Sequence, residues 1–342
     1  MNRSLLATLF LLAVPSPAPA QNLLTNATFD NNGAGLGGGL SNDSSDNVLT
    51  LTNVMFSGNT AAQSGGGLAN FTGLVALTNV TIDENTAHSD GGGLFNDEDG
   101  VALLTNVTLS NNDASGDGGG LYHAGESLIV ANSTLSGNSA DDSGGGLLNK
   151  TTALLIGVTL NGNSATRGGG LYNDVASTAT LNNVTVSANG ANQGGGLYNF
   201  EGTANLTNVT VTGNTGSLDG GGILLDGGTV TVKNSIVANS PVGGNCSGGV
   251  TNSGFNLAND NTCGFTQVTN VLLGPLTYNG GPTMTHRPMA GSLAINFVTA
   301  GCPPPAADQR GAPRPAGGPC DAGSVETGAI LPMQYLPLVV KN

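Results

Sequence analysis

The chain has 342 residues, with 56 Gly, no Trp, 9% charged residues and a formal net charge of −14. This acidic balance argues against nucleic acid or an anionic membrane as the main partner, and its general effect is solubility. Gly at this level without a collagen triplet, and with the strict repetition described below, argues against both a collagen-like chain and disorder.

Residues 1–20 read as a secretory signal: Arg3 supplies the positive charge, Leu5 to Val14 the apolar core, and Ala18-Pro19-Ala20 the cleavage site. The apolar core is about half the length that spans a bilayer, so no transmembrane span is expected once the signal is removed. The expected location is secreted, extracellular or cell-surface.

Residues 21–240 are repeats. Gly-Gly-Gly-aliphatic blocks begin at Gly37, Gly65, Gly91, Gly118, Gly144, Gly168, Gly194 and Gly220, spaced 28, 26, 27, 26, 24, 26 and 26 residues apart. An Asn followed six residues later by a second Asn keeps step, as in Asn79/Asn85 and Asn106/Asn112; in one unit Gly157 replaces the first member and Asn163 keeps the second. The fragments between are rich in Val, Thr, Leu and Ile at period 2, which favours short strands. A unit this short with three strands has no room for an ordinary helix, and one coil alone cannot bury its apolar face. The expected fold is all-β, a right-handed single-stranded parallel β-helix of about 26 residues per coil.

Stacking gives each recurrent residue a reason. The glycine corner predicts positive φ or a backbone approach that a Cβ would block. Asn tolerates the left-handed conformation, and amides stacked ~4.8 Å apart can bond from coil to coil. Two ladders are expected: Asn26, Asn53, Asn79, Asn106, Asn132, Asn183 and Asn208 form one, with several of these side chains internal although they head Asn-x-Thr triplets. Asn42, Asn70, Asn96, Asn149, Asn173 and Asn199 form the other, interrupted by His123. Phe56, Ile82, Leu109 and Leu135 typify one interior row, and Leu68, Leu94, Leu121 and Leu147 a second.

Residues 241–329 form C-terminal coils and a cap, carrying four Cys and most of the Pro. Three disulfide pairings are possible; the local ones, Cys246 with Cys263 and Cys302 with Cys320, are favoured as staples for the open end of the solenoid. Residues 330–342 are apolar and too short to span a membrane; they read as a last strand or as a sorting or anchoring tag.

The pairing of Phe56-Ser57-Gly58-Asn59 with Gly65-Gly66-Gly67-Leu68 resembles the repeats of polymorphic outer-membrane proteins, within the pectate-lyase-like β-helix class. A second resemblance, to bacterial choice-of-anchor Q proteins, rests on Asn279-Gly280-Gly281-Pro282-Thr283, Thr285-His286, Asp308-Gln309-Arg310-Gly311, Arg314-Pro315 and Cys320-Asp321-x-Gly323-x-x-Glu326. Both imply a secreted or surface-displayed protein, and neither implies an established activity.

The residues point to structure and adhesion more than to catalysis. Polysaccharide lyases need a strong base and glycosidases two carboxyls at defined separation. Lys150, Arg167 and Lys233 fall in three separate units with no cluster of neighbouring acids in sequence, and Asp141-Asp142 and Asp97-Glu98-Asp99 fall in turns. Polysaccharide cleavage, by a lyase or glycoside hydrolase of the β-helix class, is therefore the alternative reading. Asp90, Asp117 and Asp219 precede glycine blocks and are weak Ca²⁺ candidates; no cofactor is expected. Phe95, Tyr122, Tyr172 and Tyr198 alternate outward on one face, which suits either cross-strand stacking or contact with glycan, matrix or protein. The Thr rows have an ordinary explanation in β-propensity. Oligomeric state carries no sequence signal.

Overall fold

In the coil that begins at Leu94, the chain runs through Leu94–Thr105 on a first face, turns at Asn106, continues as Thr108–Ser110 on a second face, and passes through Asp113–Ala114 on a third. The Gly118–Gly120 corner then returns it to Leu121, where the path repeats one level along. This computed structural model describes residues 20–331, apart from 44 and 46. The signal reading therefore lies outside the described residues except for Ala20, and so does the tail from 332. The described chain is an all-β parallel solenoid of about nine turns, about 26 residues each. Its three parallel sheets have 17, 11 and 8 strands. Among the described residues no helix is long and apolar enough to cross a membrane.

Like residues fall in columns. Leu94 pairs with Leu68 on one side and Leu121 on the other, and Leu109 lies between Ile82 and Leu135. These side chains are buried in one continuous core that runs the length of the rod. Apolar area removed from water in this way, at ~25 cal/mol per Å², is the main favourable term for a fold with no other layer inside it.

The corner Asn residues adopt the left-handed conformation as expected, with φ 54° at Asn79 and 55° at Asn106, and Gly157 takes their place at 67°. Their position differs from the expectation that several are internal. Leu104 and Val107 both point inward, so the two corner residues between them, Thr105 and Asn106, are left outside. The ladder joining Asn26, Asn53, Asn79 and Asn106 is accordingly an exposed one, with Nδ2-to-Oδ1 distances of 3.2 Å. Asn183 and Asn208 are buried; Asn183 lies beneath a later segment, where its Nδ2 donates to the Ala307 carbonyl at 2.8 Å.

The internal ladder is built by the second Asn of each pair. Asn112 Oδ1 accepts from the backbone N–H of Asn85 (3.1 Å) and from its Nδ2 (2.9 Å), while Asn112 Nδ2 donates to the Ile82 carbonyl and to Asn138 Oδ1, both at 2.9 Å. All four hydrogen-bonding positions of a fully buried amide are filled, which is the condition for burying it without a net penalty. The same pattern continues through Asn163, Asn189 and Asn214.

The glycine corner exists partly for this ladder. A Cβ on Gly120 would lie 2.6 Å from the Gly146 carbonyl oxygen and 2.9 Å from Asn138 Nδ2. The preceding Gly118 has φ +67° and abuts the Cα and Cβ of Tyr122.

The second expected ladder is present. Asn42 bonds Asn70 at 2.7 Å, Asn70 bonds Asn96 at 2.6 Å, and Asn149, Asn173 and Asn199 continue at 2.8 and 2.7 Å. His123 stands in the gap. Asn96 Nδ2 donates to His123 Nδ1 (2.9 Å), which leaves the protonated Nε2 to face the Thr152 carbonyl (3.2 Å). Burial pushes this imidazole down to about 4 from 6.5. Because the unfolded chain takes up this proton first, stability is lost as pH falls from 6.5 towards 4, on the order of 3 kcal/mol in all. His123→Asn is expected to complete the ladder and to remove this part of the acid sensitivity. Melting temperatures of both proteins at pH 7 and pH 4.5 test it; an equal drop in the two would refute it.

Residues 241–331 do more than close the end. Cys246–Cys263 bridges the last coils, but the segment after it folds back along the second face of the solenoid. There Thr283 Oγ1 donates to the Gly157 carbonyl (3.1 Å), Thr159 Oγ1 to the Met284 carbonyl (2.6 Å), and the Ser324 N–H to Thr210 Oγ1 (3.0 Å). Cys302–Cys320 lies within this lateral layer, so its position differs from the expected staple on the open end. The outward Thr159, Thr185 and Thr210 are buried beneath it.

Candidate ligand-binding strip

The outward column beside the glycine corners is the place where chemistry-bearing groups collect. Phe95, Tyr122, Leu148, Tyr172, Tyr198 and Leu224 are in register on six successive coils. The column leaves the core as alternation requires, but the expected open row of ring faces is not what forms. Phe95 is 8% exposed, and Tyr172 and Tyr198 are 4% exposed. Two causes combine: the rings pack on each other, with Phe95 stacked on Tyr122 at 4.9 Å and Tyr172 edge-on to Tyr198 at 5.1 Å, and the positive-φ glycines lie against the Cβ of the same column. Tyr122 and Phe200 remain half-buried. What the strip offers is ring edges and polar groups.

Those polar groups converge from both margins. From the segment after the strand, Lys150 Nζ sits 5.4 Å from the Tyr122 ring centroid; from the segment before the glycine corner, Arg167 Cζ sits 5.6 Å from that of Tyr172. This corrects the expectation of scattered cations without neighbouring acids. Residues 17 apart in the chain are brought to one strip because one follows the column and the other precedes it on the next coil. Asp174 and Asp117 act on Lys150 here. Lys233 lies elsewhere, against Gly301 of the lateral layer.

The strip's carboxylates are engaged by the protein. Asp90 Oδ1 accepts from the Asp117 N–H (2.9 Å), Asp117 Oδ1 from the Ser143 N–H (3.0 Å), Asp174 Oδ1 from the Val175 N–H (2.8 Å), and Asp226 Oδ2 from the Tyr198 hydroxyl (2.8 Å). Asp90 and Asp117 thus tie neighbouring coils together. Asp219 is four coils beyond Asp117 and accepts from the Gly220 N–H and the Ser247 hydroxyl, so the three Ca²⁺ candidates do not meet. Among the described residues no group of three or more His, Cys, Asp or Glu side chains is placed to hold a metal ion.

Burial, with Asp174, pushes the Tyr172 phenol up to about 12, and burial and the bond to Asp226 raise Tyr198. Burial alone would lower the Lys150 ammonium, but Tyr122, Asp174 and Asp117 offset it and hold it above its ordinary value. All three shifts keep these groups protonated at neutral pH. A cavity of about 500 Å³ opens away from the strip, between Pro275, Met289 and Ile295; its one ionisable lining residue is Arg287.

Of the motif that runs from Asp308 to Glu326, the side chains of Asp308, Gln309, Arg310, Arg314, Asp321 and Glu326 are buried. Arg310 pairs with Asp308 at 2.7 Å and Arg314 with Glu326 at 3.0 Å. Gln309 reaches across to the solenoid, where its Nε2 donates to the Val158 carbonyl (3.1 Å) and its Oε1 accepts from Thr185 (2.7 Å). This motif folds the lateral layer and fastens it down.

The fold and the strip together define a class: a parallel β-solenoid rod with one polar and aromatic face beside its glycine corners. Residues 79–97 match the Chlamydia polymorphic membrane protein repeat, a stretch that runs from a corner Asn through the Gly91–Gly93 block to the strip residue Phe95. No curated protein matches the chain, and no solved structure does.

Proposed function

We propose that this protein is a surface-displayed β-helical adhesin-like protein that binds glycan or matrix along the strip without catalysing a reaction. The observation that carries this reading is the convergence of Lys150, Arg167, Asp174 and the half-buried Tyr122 on one face. The match to a polymorphic membrane protein repeat supports a surface or outer-membrane location. A rod whose coils bond each neighbour through the backbone suits display of one extended face, since each coil adds the same surface at a fixed rise.

The test is a glycan and matrix-protein array probed with the full chain and with Tyr122→Leu/Asp174→Asn. About tenfold weaker binding by the variant, at an unchanged melting temperature, is expected. A wild-type protein that binds nothing on the array, or a variant that binds equally, ends this reading. The convergence of Lys150 and Arg167 also favours one second reading, cleavage of a polysaccharide. Unsaturated products or new reducing ends that disappear in Lys150→Ala would establish that reading instead.

A further inference from the structure

We propose that the outer face of the lateral layer rests on a phospholipid surface, with Met289 and Leu293 inserted among the lipids and Arg287 received by headgroup phosphate. The first argument is charge allocation. In a chain with 22 Asp and Glu against 8 Lys and Arg, the charged residues of the segment 264–331 are Arg287, Asp308, Arg310, Arg314, Asp321 and Glu326. The last five are buried, and Arg310 and Arg314 are paired with Asp308 and Glu326. Arg287 is thus the one charge of this segment that reaches solvent, and among the described residues no carboxylate lies within ion-pair distance of it. An outer face without a carboxylate sets the layer apart from an otherwise acidic rod.

The second argument is what stands beside Arg287. Met289 is 54% exposed and Leu293 59%. A tight turn holds them close: the Ser292 N–H donates to the Met289 carbonyl, and the Met289 N–H to the carbonyl of the exposed Leu272, both at 2.9 Å. Met289 and Arg287 also line the cavity of about 500 Å³ together with Pro275 and Ile295, so the exposed side chains continue into an apolar recess. Contiguous apolar surface of this kind marks a contact with another protein or with a membrane.

Charge decides between them. A second copy would offer this face another arginine and no acid to receive either one. A lipid surface offers phosphate at the level of the guanidinium and hydrocarbon below it, where Met289 and Leu293 are drawn from water while the arginine head stays at the interface. The lipid is zwitterionic, because an anionic bilayer would repel the remaining charge of the rod. The layer covers the second face and the strip lies on the first, so this contact leaves the strip free.

The experiment is flotation of the chain from residue 21 onward with vesicles of phosphatidylcholine, of phosphatidylcholine mixed with phosphatidylglycerol, and of a galactolipid that lacks phosphate. The proteins are wild type, Met289→Ser/Leu293→Ser and Arg287→Gln, each checked by melting temperature. Wild type is expected to float with phosphatidylcholine and less with the mixed vesicles. The double variant should partition about tenfold less, and Arg287→Gln about fivefold less on phosphatidylcholine but as wild type does on galactolipid. Wild type that stays unbound, a double variant that floats equally, an Arg287→Gln protein that loses nothing on phosphatidylcholine, or stronger binding to the mixed vesicles would overturn the proposal. So would a wild-type dimer in sedimentation equilibrium that the double variant abolishes, since a second copy would then cover the face.

Discussion

Gly120→Ala is expected to destabilise the solenoid by about 3 kcal/mol or more, a cost at the upper end for a single added methyl. The methyl would sit 2.6 Å from the Gly146 carbonyl oxygen and 2.9 Å from Asn138 Nδ2, so it must displace either the backbone of the next coil or a member of the internal ladder. Neither yields cheaply. The backbone is held by coil-to-coil bonds such as Gly120 N–H to Gly145 O at 2.9 Å, and Asn138 has its hydrogen bonds on both sides. Gly190→Ala is the matched control, because nothing lies within 4 Å of its added Cβ and its φ is ordinary. That change should be neutral or stabilise by about 0.4–1 kcal/mol through the unfolded chain. Urea unfolding followed by circular dichroism compares the two, and equal midpoints would show that the corner is not packed as described.

The second large effect concerns the buried charges of the lateral layer. Glu326→Leu is expected to cost about 3–5 kcal/mol, because it leaves the Arg314 guanidinium inside without its carboxylate. Burial already pulls Arg314 below its ordinary value, with Asp308 and Glu326 opposing that shift. Arg314→Met should cost less: Glu326 keeps the N–H groups of Asp321 (2.9 Å) and Ala316 (3.0 Å) as donors. The loss should be local. Circular dichroism of the coils should persist while the Ser324 amide, which donates to Thr210 Oγ1, loses its protection from hydrogen exchange. An Arg314→Met protein as unstable as Glu326→Leu would contradict the asymmetry, and unchanged protection at Ser324 would contradict the attachment.

Two repeat signatures made the solenoid legible, and the structure explains why they travel together. In seven of the eight blocks, Gly222 being the exception, the third glycine removes the side chain that would occupy the space of the buried Asn. The unit in which Gly157 replaces the first Asn but Asn163 keeps the second was a visible clue to which Asn the core requires. At a corner, any residue that accepts positive φ will serve; inside the core, a fully bonded amide cannot be exchanged for glycine without leaving its partners unpaired. Reading the first Asn as internal missed that distinction. Period-2 alternation correctly set the aromatic column outward, yet it carried no information on what would lie beside that column.

What the sequence by itself determined was everything that repeats: the solenoid, the length of its coil, the columns of like residues and the left-handed corners. The reason is that each of these is set by contacts between a residue and its own equivalent one repeat away, a separation that can be counted. Only the tertiary structure decided where non-repeating residues meet. Lys150 and Arg167 reach one strip from opposite margins, and Gln309 reaches Val158 and Thr185 from a segment folded back along the rod. Such meetings depend on the direction in which a loop leaves its coil and on which face a later segment covers. No period in the chain records either.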